Sequence, residues 1–318
     1  MELKLFKQKR TYTRKQKRLI FYTLMFALPV LQFLLFYLYV NFNSVILAFT
    51  DKTPKLDGVG FDVTVTGDNF KKAFTFFFGS DCGKMLWNSF QLFVCQIVVV
   101  TPLALLFSYY IAKNRAGASF FRTMLYLPQV ISVVVLGILF KYIVNEVYPY
   151  VAKEFFNKEV LGLMSPTSTY NEKFYAALVF TLWFSFGTNV LIYTGAMSGV
   201  DQSVVESAQL DGVTNLQEFY YIYLPMIFST VTTFVVTGLA GIFNNQMSLH
   251  TFFNNAGYVD VFGYYFYRIT AKNLENAAGG NMMNLHELAA LGLIATVILI
   301  PITLFTRKMM NKFGPSVD

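Results

Sequence analysis

Charge is scarce in this sequence. Of 318 residues only 18 are acidic and 25 basic, 14% together, where soluble domains carry about 25%. That is too little to wet the surface of a globular protein this long. Histidine and cysteine occur twice each. Cys82 falls in the segment before the second apolar run and Cys95 inside that run, so no disulfide framework is expected. His250 and His286 have no cysteine, aspartate or glutamate at a ligand spacing apart from Glu287, the neighbour of His286, so no metal site is expected. A phosphate-binding GxxxxGK[ST] loop is missing, because Gly83-Lys84-Met85 lacks both the preceding spacing and the hydroxyl residue. There is no G-x-S-x-G elbow either, and no residue is assigned a catalytic role. Charges inside apolar runs mark proton relays and ion paths. They are almost absent here, which disfavours a proton-coupled pump and leaves a partner to supply the energy for any uphill transport.

What is present is apolar: 55% hydrophobic residues, 18% aromatic, and a mean hydropathy of +0.48. Apart from histidine, nothing charged at neutral pH lies within 19–50, 85–112, 123–140, 174–200, 219–259 or 288–306. About 20 apolar residues cross about 30 Å of hydrocarbon as a helix, and a backbone in lipid must satisfy its own hydrogen bonds. The expectation is an all-α integral membrane protein with spans at 19–45, 85–112, 123–145, 174–200, 222–246 and 287–307. Pro29, Pro102, Pro128 and Pro301 predict kinks or helix starts. A basic segment, 1–18, precedes the six-span domain, 19–312, and a tail, 313–318, follows it.

Eight basic residues precede Leu19. With that end inside the cell, the inner segments hold 14 basic and 6 acidic residues against 11 and 12 outside. The positive-inside rule then places both termini in the cytoplasm. The net charge of +7 reads as a topology signal with attraction to anionic lipid, and no nucleic-acid partner is expected. The first run is too long for a signal-peptide core and offers no small-residue cleavage site, so it is expected to remain as a span.

The segment between the fourth and fifth runs, DQSVVESAQLDGVTNLQEFYYIY at 201–223, breaks the pattern. It is an inner segment with four acids and no lysine or arginine. Ser203 with Glu206 predicts a capping box and a short helix through Leu210. Gly212 suits the left-handed residue that ends it. Thr214 with Gln217 predicts a second capping box, and Pro225 predicts a break at Leu224 before the fifth span. The result is an amphipathic elbow, 201–221, with Val204, Val205, Ala208 and Leu210 available to pack.

Glu206-Ser207-Ala208, then Gly212, Ile222 and Leu224-Pro225 at their offsets, resembles the EAA motif, EAA-x3-G-x9-I-x-LP, of the permease subunits of binding-protein-dependent ABC importers. Only the second position departs, with Ser207 in place of alanine. FFRTMLYLPQVIS and TLWFSFGTNVLIYTGAMSGVDQSVVESAQLDG are similar to the sugar-permease branch, and the likeness covers about 86–309. The resemblance implies a type I importer permease fold and a short cytoplasmic helix seated in a groove of an ATPase. Glu206, Ser207, Ala208, Asp211, Gly212, Ile222, Leu224 and Pro225 would carry that coupling. It also implies a second, similar permease, an ATPase dimer that binds the ATP and magnesium, a substrate-binding protein, and a place in a bacterial inner membrane. No cofactor is expected on this chain.

Gly195 and Gly199, four apart, suit close helix packing, within the chain or against a neighbour. A sugar path would combine aromatic faces with neutral amides, and Trp183, Asn189, Tyr193, Asn244, Asn245 and Gln246 are the candidates. A polyol or a phosphorylated solute such as glycerol phosphate stays open as the cargo. A membrane enzyme fits poorly, since Glu206 and Asp211 are five apart across a break. A stand-alone secondary carrier would need intramembrane charge or inverted repeats, and no internal repeat is visible.

Overall fold

The computed structural model describes residues 13–54, 61–254, 256–275 and 283–315. Residues 1–12 of the basic segment and 316–318 of the tail lie outside them. The first rod runs from α1 (Arg14–Gln32) through a π turn at Phe33–Leu38 into α2 (Tyr39–Ala48), opened by a capping box between Thr13 and Gln16. A hairpin follows, β1 (Thr50–Pro54) antiparallel to β2 (Phe61–Val65). It is a small departure from an all-helical chain, and its source is the period-two alternation of FDVTV. Next, α3 (Asp68–Phe77) buries Ala73 and Phe77 beside Leu288 and Leu291.

The second span is α4 (Ser80–Cys95), a π turn at Gln96–Val100 and α5 (Thr101–Ala112). It begins five residues before the expected 85 and carries fully buried Cys82 into the helix. Asp81 and Lys84 end the apolar run in the sequence, yet both sit on exposed helix positions and do not end the helix.

The third span also differs from its expectation, 123–145. After α6 (Ala118–Val130) the chain turns extended at Ile131, with φ −88° and ψ 142°. The apolar rod is Val133–Phe156: α7 (Val133–Tyr142), a π turn at Ile143–Val147 and α8 (Tyr148–Phe156). Pro128 lies inside α6, three residues before the break. Lys141, which ends the apolar run, donates to the Phe252 carbonyl at 2.6 Å, so its charge is satisfied by a backbone acceptor.

The fourth span, α9 (Tyr170–Ser198), is unbroken for 29 residues. Then come α10 (Gln202–Leu210), α11 (Asn215–Glu218), a π turn at Phe219–Tyr223, α12 (Leu224–Met226) and α13 (Phe228–Ala240). The last two stretches meet at a 66° bend. After them α14 (Leu249–Phe253) and α15 (Phe262–Glu275) precede α16 (Leu285–Phe313). Among the described residues, five helices are long and apolar enough to cross a membrane, six if the bent pair is one span.

Three of the four π turns among the described residues stand two residues before a proline, Pro102, Pro149 and Pro225. In each, the residue before proline donates five residues back: Thr101 to Gln96, Tyr148 to Ile143, Leu224 to Phe219. Proline has no amide and crowds the carbonyl four residues earlier. A wider turn absorbs that fault without breaking the helix. The predicted break at Leu224 is therefore absent, and the chain bends at Ile227 instead.

Among the described residues three apolar clusters hold the bundle. One joins α7, α9 and α14 around Phe180 and Phe252. A second joins α3, the start of α4, α15 and the start of α16. The third joins α5, the end of α9, α10 and α13 through Tyr193, Met197, Val205, Tyr223 and Ile227.

Candidate functional site

The elbow is built from three local signals. Asp201 caps α10, accepting from the Ser203 amide and hydroxyl, each at 2.9 Å. The donated amide holds the Asp201 carboxyl below its usual range. The capping box expected at Ser203 and Glu206 is not formed, because the carboxylate two residues upstream takes the capping position. Ser203 instead lies in the first turn, and Glu206 is exposed in the middle of the helix. Ser207, exposed, returns its hydroxyl to the Ser203 carbonyl at 2.8 Å.

The far end closes as a Schellman motif. Val213 N–H bonds the Ala208 carbonyl at 3.2 Å and Gly212 N–H the Gln209 carbonyl at 3.1 Å. Gly212 has φ +79°, the conformation that glycine adopts without penalty, and Asp211 is the exposed residue before it. The second capping box does form, with Gln217 Oε1 accepting from the Thr214 amide at 3.0 Å and its hydroxyl at 2.8 Å. Ile222 and Leu224, half-buried, pack on the third cluster, and half-buried Pro225 stands between them and the bend.

Of the apolar residues offered for packing, only Val205 goes in, at 1% exposure. Ala208 is half-buried and Val204 exposed. Leu210 and Leu216 stand out at 90% and 75%. The first helix of the elbow, α10, thus sinks one apolar side chain, Val205, into the bundle and leaves Leu210 bare, as α11 leaves Leu216.

Sequence reasoning missed what sits beneath it. Glu218, 2% exposed, receives Lys113 Nζ at 2.6 Å, the Tyr109 hydroxyl at 3.3 Å and the Gln209 amide at 3.2 Å. Tyr109 and Lys113 belong to the C-terminal end of the second span and Gln209 to α10. A carboxylate buried to this degree persists only when paired and hydrogen-bonded. The available signal was an acidic segment without a base next to a basic one, Lys113 to Arg122. Arg115 adds an exposed bond to Asn215 Oδ1 at 2.7 Å.

About midway along the spans lies a cavity of about 310 Å³, walled by the second, fourth and fifth spans. Gln96 and Thr101, Thr181, Ser185 and Asn189, and Asn245 supply its polar groups, and Phe93 and Phe234 its aromatic faces. None of the lining residues carries a charge. Ser185 donates to Gln96 Oε1 at 3.1 Å, and Asn245 Oδ1 accepts from the Met247 amide at 2.8 Å.

Two of the six sequence candidates therefore meet at the cavity, Asn189 and Asn245. Trp183 is 48% exposed on another face of α9, tilted on Phe180 at 6.0 Å. Tyr193 is fully buried with its ring 5.1 Å from Phe234. Asn244, exposed, and Gln246, half-buried, lie in the turn after α13, outside the lining. Gly195 faces open space and Gly199 meets only its own Ala196 carbonyl, so the close packing predicted for the pair is not made within the described chain. Among the described residues no cluster of histidine, cysteine and acidic side chains could hold a metal.

Comparison with known proteins places this geometry. The chain is 28% identical over 242 residues to the arabinooligosaccharides transport system permease protein AraP of Halalkalibacterium halodurans, covering 71% of each chain. It is 25% identical over 300 residues to AraP of Bacillus subtilis, covering 91% of this chain and 88% of that one. Among solved structures, a chain of a bacterial ABC transporter that imports the acidic polysaccharide alginate superposes with a TM-score of 0.73. It has 20% identity and covers 95% of this chain and 98% of that one. A chain of a bacterial alginate ABC transporter in complex with an alginate pentasaccharide-bound periplasmic protein gives 0.70, at 20% identity over 96% of this chain and 99% of that one. The fold is the type I ABC importer permease fold, all-α and integral to the membrane. Residues 101–318 match the binding-protein-dependent transport system inner membrane component, and the chain belongs to that family of transport permeases.

Proposed function

We propose that this chain is one half of the membrane path of an ATP-driven importer of a neutral sugar or oligosaccharide. Its α10 elbow is the seat of an ATPase subunit. The observation that carries the reading is the divided elbow: Val205 sunk in the bundle, Leu210 and Leu216 bare. A short helix anchored by Val205 that leaves Leu210 bare among polar residues, with Leu216 bare on α11 after it, is a surface suited to a protein groove. ATP and magnesium belong to that ATPase dimer, and the chain itself binds no cofactor. A second permease of similar fold completes the path, and a substrate-binding protein delivers the sugar from the far side. The elbow faces the cytoplasm in this arrangement, as do both termini.

The uncharged cavity supports the cargo class. Amides and hydroxyls at Gln96, Ser185, Asn189 and Asn245 match sugar hydroxyls, and Phe93 and Phe234 match the apolar ring faces. A phosphorylated solute would call for a cation in the path, and the cavity has none.

Proteoliposome uptake tests the reading. The permease alone should move nothing. With its co-encoded permease, ATPase and binding protein it should accumulate labelled arabinotriose or a related neutral oligosaccharide when ATP is supplied. Uptake by the permease alone would sink the proposal. Within the complex, Asn189→Leu should remove about 1 kcal/mol of binding, a rise of roughly fivefold in the KM for uptake. Co-purification of the ATPase should stay unchanged.

A further inference from the structure

Beyond the α9 chain that enters α10 and the packing of Val205 on the third cluster, the elbow has two routes to the cavity from its α11 end. One is the continuous chain, α11 through α12 into α13, which turns by 66° at Ile227. A bend is a poor push-rod, because a load along one arm flexes the joint. The other route runs through Glu218. Its carboxylate collects one donor from α10, Gln209, and two from the second span, Tyr109 and Lys113. The rings beside it lock the same joint, with Tyr109 5.3 Å from Phe219 and 5.2 Å from Tyr223. From Lys113 the α5 helix runs unbroken back to Thr101, which lines the cavity. Twelve residues at a rise of about 1.5 Å make a strut of about 18 Å.

We infer that Glu218 is a positioning residue: it ties the elbow to the second span, so that movement of α10 reaches the cavity directly along α5. The inference rests on the ATPase-coupling reading of the elbow. Polar groups that bury a charge and join three elements transmit displacement because breaking any one strands the others in a low-dielectric site. The pair also explains why an inner segment without a single base keeps an acid there: its base comes from the neighbouring segment.

The test uses the assembled complex in a Cys82→Ala/Cys95→Ala background. Single cysteines are placed at Thr101 on the second span and at Thr237 on the fifth, both at the cavity. Their labelling rates with a small maleimide are read before and after trapping with MgATP and vanadate. With Glu218 intact, both rates should change severalfold on trapping. In Glu218→Gln the Thr237 position should still respond, while the response at Thr101 falls by at least fivefold. Lys113→Arg, which keeps the charge, should preserve both. Equal responses at both positions in Glu218→Gln would overturn the inference. Should that variant not assemble, Lys113→Met/Glu218→Met removes the charges together. Assembly of this double variant with a silent Thr101 supports the tie. Its failure to assemble, or a full response at Thr101, overturns it by giving the pair a folding role or none. If neither position responds in the parent complex, the ATPase-coupling reading itself has failed.

Discussion

Gly212→Asp is expected to leave the protein inserted in the membrane, lower co-purification of the ATPase at least tenfold and bring uptake to background. Three observations set the size. At φ +79° an L-residue loses about 1 kcal/mol to the left-handed conformation. A carboxylate at the end of α10 meets the negative pole of the helix, about 0.3–1 kcal/mol more. Nothing lies within 4 Å of the added β-carbon, so no clash inside the chain destroys the fold. The new side chain points into the open space that the partner would fill. Together these reach about 1.4 kcal/mol, the value of a tenfold change in affinity, before any steric conflict with the groove. Gly212→Asn tolerates the same backbone without the charge and should lose only a fewfold. Normal uptake in the aspartate variant would show that the elbow is not a coupling surface.

The elbow is legible because its residues speak locally. A left-handed glycine and a Thr214–Gln217 box are decided within four residues. The Ser203–Glu206 box is misplaced because two caps compete within three positions, and spacing alone does not rank a carboxylate over a hydroxyl. Helix limits are less legible. Absence of charge marks where lipid is tolerated, not where a helix begins, so α4 starts at Ser80 and the third rod at Val133. Proline gives the wrong place for a break because a π turn is invisible in composition.

The cavity is half legible. Thr181, Ser185 and Asn189 recur every four residues and so share one stripe of α9, a pattern that their numbers already show. Trp183, two residues from Thr181, points about 200° away. Tyr193 continues the polar stripe but lies one turn closer to the elbow, where Phe234 closes over it. Which stripe faces a cavity depends on the neighbouring spans, and no single helix states that. Glu218 and Lys113 are 105 residues apart in sequence, and only the fold brings them together.

The same dependence on a neighbour governs the second large effect, which lies on the other side of α9. Gly187 stands where α6 crosses the helix. A β-carbon there would fall on the Leu125 carbonyl, whose carbon is 3.2 Å away. Two residues of α6 fix the crossing from either side: Leu125 by contact, and Gln129 by a hydrogen bond from its amide to the Phe184 carbonyl. A carbonyl cannot rotate out of the way as a side chain can, so Gly187→Ala must push α6 off α9. Overpacking of this kind costs about 1–3 kcal/mol, against up to about 1 kcal/mol that alanine returns in helix propensity. Gly195→Ala is the matched control on the same helix, where nothing lies within 4 Å and only the propensity gain applies. Thermal unfolding in detergent should therefore separate the two. Gly195→Ala should equal or exceed the parent midpoint, and Gly187→Ala should fall below Gly195→Ala by about 2–12 °C, at roughly 2–4 °C per kcal/mol. Equal midpoints would mean that α6 does not rest on α9 at Gly187. The entry of the third span would then be held by Gln129 alone, and Gln129→Leu should show the larger loss instead.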